Sequence, residues 1–207
     1  MNNSDNKIIC VGRQLGSGGR IIAQRLAEEF GCKFYDREVL NLAAQESGFC
    51  EEFFEKNDER KGFFNQIFHM HVPFISDSSF YDNGLSQENL FRLQSDAIRK
   101  AADRSSCVFV GRCADYVLRE HKNMVSIFVT ANIDERIANV CKRNNCTADE
   151  AQKIISSQED SRSNYYNYYT GKTWGAAESY DLCVNTSLLG LEATQEYISQ
   201  FIRKVLK

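Results

Sequence analysis

Four short apolar runs constrain the fold of this 207-residue chain more than any other feature. They are Ile8–Val11, Cys107–Val110, Val125–Val129 and Tyr180–Val184, with a weaker fifth run at Lys33–Tyr35. Runs that are apolar at nearly every position suit strands covered on both faces, as in a parallel sheet between two helix layers. Helical patterns separate them. Ile22, Leu26 and Phe30 share one helix face, and Gly31 is suited to end that helix in the left-handed region. Leu90, Leu93, Ala97 and Ala101 form a second stripe, with Ser86 as its cap and Leu85 and Leu90 as a hydrophobic staple. Asn132 with Glu135, and Thr147 with Glu150, fit a cap followed by an acid three residues on. Leu191, Thr194, Ile198, Phe201 and Val205 give a last amphipathic helix. Strands alternating with helices predict an α/β domain with a five-stranded parallel sheet.

Two stretches break the alternation. Residues 47–84 hold the only proline, Pro73, among many Phe, Asp, Asn and Ser, and residues 147–178 are polar with a tyrosine cluster. Both read as excursions from one core domain. The net charge of −3 argues against a general nucleic-acid or membrane-surface binder. No apolar run is long enough to span a bilayer, and the polar start of the chain has no apolar signal core, so a cytoplasmic protein is expected. The eight cysteines include no C-x-x-C pair. Cys10, Cys107 and Cys183 lie in strand-like runs, where Cys acts as a small hydrophobe, so free thiols are expected rather than disulfides or a zinc site.

The chemistry concentrates after the first strand, in Gly12-Arg13-Gln14-Leu15-Gly16-Ser17-Gly18-Gly19-Arg20. Glycines let backbone N–H groups turn toward a ligand, and the following helix adds a positive dipole end. Arg20 in the first helical turn is unfavourable by itself, and a bound anion reverses the penalty. A phosphate loop is therefore favoured over a plain tight turn. Against the pattern Gly-x-x-x-x-Gly-Lys-Ser/Thr aligned on Gly18, the lysine position is Gly19, followed by Arg20 and Ile21. Ser17 is the nearest hydroxyl that could meet a metal ion. A rival reading takes Gly16, Gly18 and Asp36 as part of a dinucleotide fingerprint, with Ile21 at its third glycine.

Gly16-Ser-Gly-Gly-Arg20, Leu26-Ala-Glu-Glu-Phe-Gly31, Phe34-Tyr-Asp-Arg37, Val110-Gly-Arg-Cys113, Asp160-Ser-Arg162 with Tyr165-Tyr166 and Tyr168-Tyr169, and Trp174 with Tyr180-Asp-Leu182 occur in order along the chain. As a set they resemble the cytidylate kinase-like family, relatives of the nucleoside monophosphate kinases. The resemblance implies a P-loop NTPase-type three-layer sandwich, with a core of residues 7–36, 105–146 and 179–207. It implies a nucleoside monophosphate-binding insertion at 37–104 and a helical lid at 147–178. It further implies ATP and Mg2+, with donor phosphates held by Gly16, Ser17, Gly18, Gly19 and Arg20. Asp36, Arg37 and Arg112 would meet the acceptor, and Arg20, Arg112 and Arg162 would supply catalytic charge. Val110 stands where cytidylate kinases carry an aspartate.

Each residue also has a plainer use. Asp36 could cap a helix beginning at Arg37, Arg112 could form a surface salt bridge, and Arg162 and Lys172 could be solvated. Tyr165, Tyr166, Tyr168 and Tyr169 could stack on a base, and more often such residues pack a lid onto a sheet. His69 and His71 lack further metal ligands nearby in sequence, and no metal site is expected from protein ligands. Phe53, Phe54, Phe63, Phe64 and Phe68 suit either a homodimer contact or the interior of the insertion. Ser17 has no histidine beside it, so a hydrolytic triad is unsupported. Taken together, these features point to an ATP-dependent phosphotransferase acting on a nucleoside monophosphate, cytidylate foremost. The alternatives are a nucleotide-binding regulatory module, a kinase of another small metabolite, and a nicotinamide-dependent oxidoreductase.

Overall fold

The computed structural model describes residues 5–37 and 87–206. The chain divides into two compact units, 1–37 with 98–207, and 38–97. The five strands among the described residues all lie in the first unit. They are β1 (Ile8–Arg13), β2 (Lys33–Tyr35), β3 (Cys107–Val110), β4 (Met124–Thr130) and β5 (Leu182–Asn185). All pair in parallel in the order β2-β3-β1-β4-β5. The expected five-stranded parallel sheet is thus present. Its order counts against the dinucleotide fold, in which the first two strands are neighbours; here β3 separates them.

Alternation along the strands divides the core. Ile9, Val11, Val108, Val110, Val125, Ile127 and Val129 point to one face. There they meet Ile22 and Leu26 of α1 (Gly19–Phe30) and Ile198 and Ile202 of the last helix. Ile22 and Leu26 are fully buried, a contribution of about 1.5–3 kcal/mol each. On the other face Phe109 stacks on Tyr35 with ring centroids 5.2 Å apart. The thiol of Cys107 donates to the carbonyl of Ala101 in α2 (Gln87–Arg104). Of the second unit only the first part of α2 is described; there Ser95 Oγ donates to the Phe91 carbonyl at 2.7 Å.

Four helices complete the first unit: α3 (Ala114–Val117), α4 (Ile133–Asn144), α5 (Ala148–Thr170) and α6 (Thr186–Val205). Gly31 ends α1 at φ 62°, as its sequence suggests. Thr147 and Glu150 form a reciprocal capping box at α5. Asn132 departs from expectation. Its side chain caps nothing and instead accepts from Asn185, while its N–H donates to Ser187 Oγ. The stripe expected in the last helix also shifts. Gly190 breaks the helix at φ 75°, Ile198 and Ile202 are buried, and Val205 is exposed. β5 begins at Leu182 rather than Tyr180, whose ring packs on Phe128. Because β5 is an edge strand, Cys183 is exposed rather than a core residue. The seven cysteines described are all free thiols. The proposed cap of α2, the histidines at 69 and 71 and the phenylalanine-rich stretch lie outside the described residues. Among those described, no helix is long and apolar enough to cross a membrane.

Candidate active site

β1 lies at the centre of the sheet, and the loop leaving its C-terminal end faces the end of β3. Ligands of open α/β sheets bind at such an edge. Gly16 and Gly18 both take positive φ, 83° and 78°. A Cβ at Gly16 would stand 2.6 Å from the Arg136 carbonyl oxygen, so only glycine lets the loop lie against α4. Gly18 occupies the cap position of α1, without a side-chain cap and with no acid in the first turn. The positive end of that helix is left for an anion from elsewhere.

Side chains on distant elements fix the loop. Gln14 N–H donates to the Val129 carbonyl at 3.0 Å, and Thr130 Oγ1 donates to Gln14 Oε1. Thr186 Oγ1 donates to the Ser17 carbonyl at 3.0 Å, and Asn139 Nδ2 to the Gly16 carbonyl at 2.9 Å. Arg136, itself buried, donates through Nε to the Leu15 carbonyl at 2.9 Å and through Nη2 to Glu159. Glu159 Oε1 also accepts from Leu15 N–H at 3.3 Å. Arg136 and Glu159 thus grip both polar groups of one loop residue. Neither belongs to a motif that the sequence displays.

The residues singled out from sequence fall as follows. Ser17 is buried; its hydroxyl donates to the Gln14 carbonyl at 2.9 Å and accepts from Gly19 N–H at 3.4 Å. Arg20 and Asp36, expected on the donor and acceptor sides, form one ion pair. Arg20 Nε donates to Asp36 Oδ2 at 3.1 Å, Nη2 to the same oxygen, and Asp36 is buried. Arg112 sits in a sharp turn, with Gly111, Arg112 and Cys113 at φ 75°, 55° and 55°. Two consecutive non-glycine residues in that region are uncommon, and such backbone concentrates at functional sites. The Arg112 guanidinium lies over the Tyr165 ring, 5.1 Å from its centroid. Arg162, half-buried on α5, donates to the Arg13 carbonyl at 3.1 Å.

Arg20, Arg37, Arg136, Arg143 and Arg162 form a basic cluster in a chain of net negative charge. Burial pulls the Arg162 pKa down to about 10; Glu159 opposes the shift, and Arg37, Arg143 and Arg136 add to it. Burial likewise lowers that of Arg143, with Arg20 contributing. Several guanidiniums that disfavour each other's charge around a glycine loop make a site suited to a multiply charged anion.

Of the tyrosines, Tyr166 is a packing residue. Its hydroxyl donates to buried Asp115 at 2.7 Å and its ring stacks on Tyr180. Tyr168 is exposed. Trp174 meets Phe128 edge-on at 5.1 Å. Lys172 Nζ donates to the Ser179 carbonyl at 3.5 Å.

The sequence profile of the cytidylate kinase-like family matches residues 8–188. Curated relatives include the cytidylate kinase of Desulfurococcus amylolyticus, 26% identical over 93% of this chain and 90% of its own. That of Pyrococcus horikoshii is 27% identical over 88% and 81%. Among solved structures, an uncharacterized protein from Eubacterium ventriosum superposes with a TM-score of 0.73 at 24% identity, covering 96% of this chain and 99% of that one. Shikimate kinase from Acinetobacter baumannii, in complex with shikimate, does so at 0.53 and 12% identity, over 97% and 95%. The fold is that of P-loop kinases.

Proposed function

The chain belongs to the cytidylate kinase-like family, and from that premise we propose that it transfers the terminal phosphoryl group of ATP to a nucleoside monophosphate, cytidylate foremost. The observation that supports this reading is the convergence of Arg112, Arg162 and the glycine loop at one end of β1 and β3. In the transfer, an acceptor phosphate oxygen bonds to the γ-phosphorus. The bond from that phosphorus to its bridging oxygen breaks, leaving ADP and a nucleoside diphosphate. The protein's part is positioning and charge. Loop N–H groups from Gly16 to Gly19 and the α1 dipole hold donor phosphates. Arg37 and Arg112 meet the acceptor phosphate, and Arg162, already on the loop, neutralises charge that develops between them. The Arg20–Asp36 pair joins donor and acceptor sides, with Asp36 toward the acceptor.

When bound, magnesium supplies charge to the donor's phosphate oxygens. The described residues do not fit direct ligation of the ion. Ser17 Oγ is engaged by Gln14 and Gly19, Arg20 stands where a hydroxyl is usual, and no cluster of three or more ligating side chains occurs among them.

An ADP-release assay with ATP, magnesium, a panel of nucleoside monophosphates and small hydroxylated metabolites tests the reading. Turnover with cytidylate is expected, falling about 100-fold or more in Arg112→Met and Arg162→Met. Turnover with no nucleoside monophosphate would overturn it. The absence of a lysine at Gly19 favours a second reading, a regulatory nucleotide-binding module, which predicts ATP binding without turnover.

A further inference from the structure

We propose that the Arg13 guanidinium takes the place of the missing loop lysine as the side-chain cation that meets the donor triphosphate; this deepens the kinase reading and rests on it for the identity of the donor. Position 19 has no room for a side chain. A Cβ there would stand 2.6 Å from Arg13 Cβ and 3.1 Å from Val129 Cβ, and neither atom is the movable end of a flexible chain. The volume beside Gly19 is filled by the stem of Arg13 instead. From that stem the guanidinium crosses to the end of β3, where its Nη1 would lie 2.6 Å from a Cβ built on Gly111. Gly111 is followed directly by Arg112.

One arginine therefore spans the gap between the loop and the turn that carries the acceptor-side arginine. Gly19 and Gly111 are the two places where its path needs an absent Cβ. Residue 13 also occupies the first glycine position of the phosphate-loop pattern counted back from Gly18. Two positions have exchanged roles: the usual glycine is an arginine, and the usual lysine a glycine. A guanidinium offers paired N–H donors to phosphate oxygens, where lysine offers a point charge.

Calorimetric titration with ATP and with inorganic tripolyphosphate reads this directly, alongside thermal melts and the ADP-release assay. Arg13→Met is expected to weaken both ligands about 10- to 100-fold, with Arg13→Lys recovering most of the loss. Gly19→Lys alone should lose binding because its Cβ has no space. The pair Arg13→Gly with Gly19→Lys should regain it by relieving the closer contact and returning a cation to the loop. The loss in Arg13→Met, which keeps the stem and removes only the charge, is what a purely packing role for Arg13 would not produce. Binding by Arg13→Met within about twofold of the unaltered protein, or a folded exchange pair that binds neither ligand, overturns the assignment. So does an unaltered protein that binds neither. Arg13-dependent triphosphate binding without turnover on any nucleoside monophosphate upholds Arg13 and removes the kinase reading. Cytidylate turnover unchanged in Arg13→Met does the reverse.

Discussion

Arg136 shows how much of the loop's shape depends on one side chain. It is buried with Glu159 beside it, and both hold the polar groups of Leu15. Removing one member of such a pair leaves a charge without compensation in a poorly solvated place. Arg136→Met is expected to lower unfolding free energy by about 3 kcal/mol, read as a reduced urea midpoint with an unchanged slope. Little of this was legible in the sequence. The loop announces itself through glycine spacing within nine residues, but its restraints come from Arg136, Asn139, Glu159 and Thr186, more than a hundred positions away. Arg13 was hidden for a related reason. A side chain on a strand end reads as one of many, until the glycines at 19 and 111 are seen on either side of it.

Between elements, the most informative contact joins α3 to α5. Asp115 is buried and receives the Tyr166 hydroxyl, whose ring lies against Tyr180. Burial raises the Asp115 pKa, opposed by the Tyr166 hydrogen bond and the charge of Lys172. Asp115 in turn helps raise the pKa of Tyr166, Tyr180 and the Cys10 thiol, after burial, and that of Cys113 likewise. The folded chain keeps a proton on Asp115 more readily than the unfolded chain does. Its contribution to stability is therefore full below the ordinary carboxylate range and is lost as pH rises through the raised value. Urea unfolding across about pH 4 to 8 is expected to show a smaller such decline in Asp115→Asn, which keeps an acceptor for Tyr166. The elements themselves were largely readable, because continuous apolar runs and the Thr147–Glu150 box are local signals. The end of β1 was not. Its extension to Arg13 depends on pairing with Val129 of β4, which no local pattern encodes.

The whole molecule carries net negative charge yet gathers Arg20, Arg37, Arg136, Arg143 and Arg162 within mutual electrostatic reach around the loop. A polyanion held among them would offset their mutual repulsion. Tripolyphosphate at about 100 times its dissociation constant should add about 2.7 kcal/mol. For a chain of this size the melting temperature should then rise by about 5–10 °C, while sodium chloride of equal ionic strength gives no comparable rise. Alternating strands and helices made the parallel sheet legible, and the glycine-rich segment after its first strand marked the candidate site, whereas the strand order was not encoded in any local pattern. The acceptor chemistry of the site was not legible, because the resemblance gives base recognition to the insertion expected at 37–104, where the sequence pattern is least regular.

Arg162 takes hold of residue 13 by its main-chain oxygen. Such a bond is indifferent to which amino acid stands there, provided β1 keeps its course. The long helix can thus stay docked while the side chain at that position is exchanged, and a lineage could move its essential cation from one site in the loop to another without ever passing through an undocked intermediate.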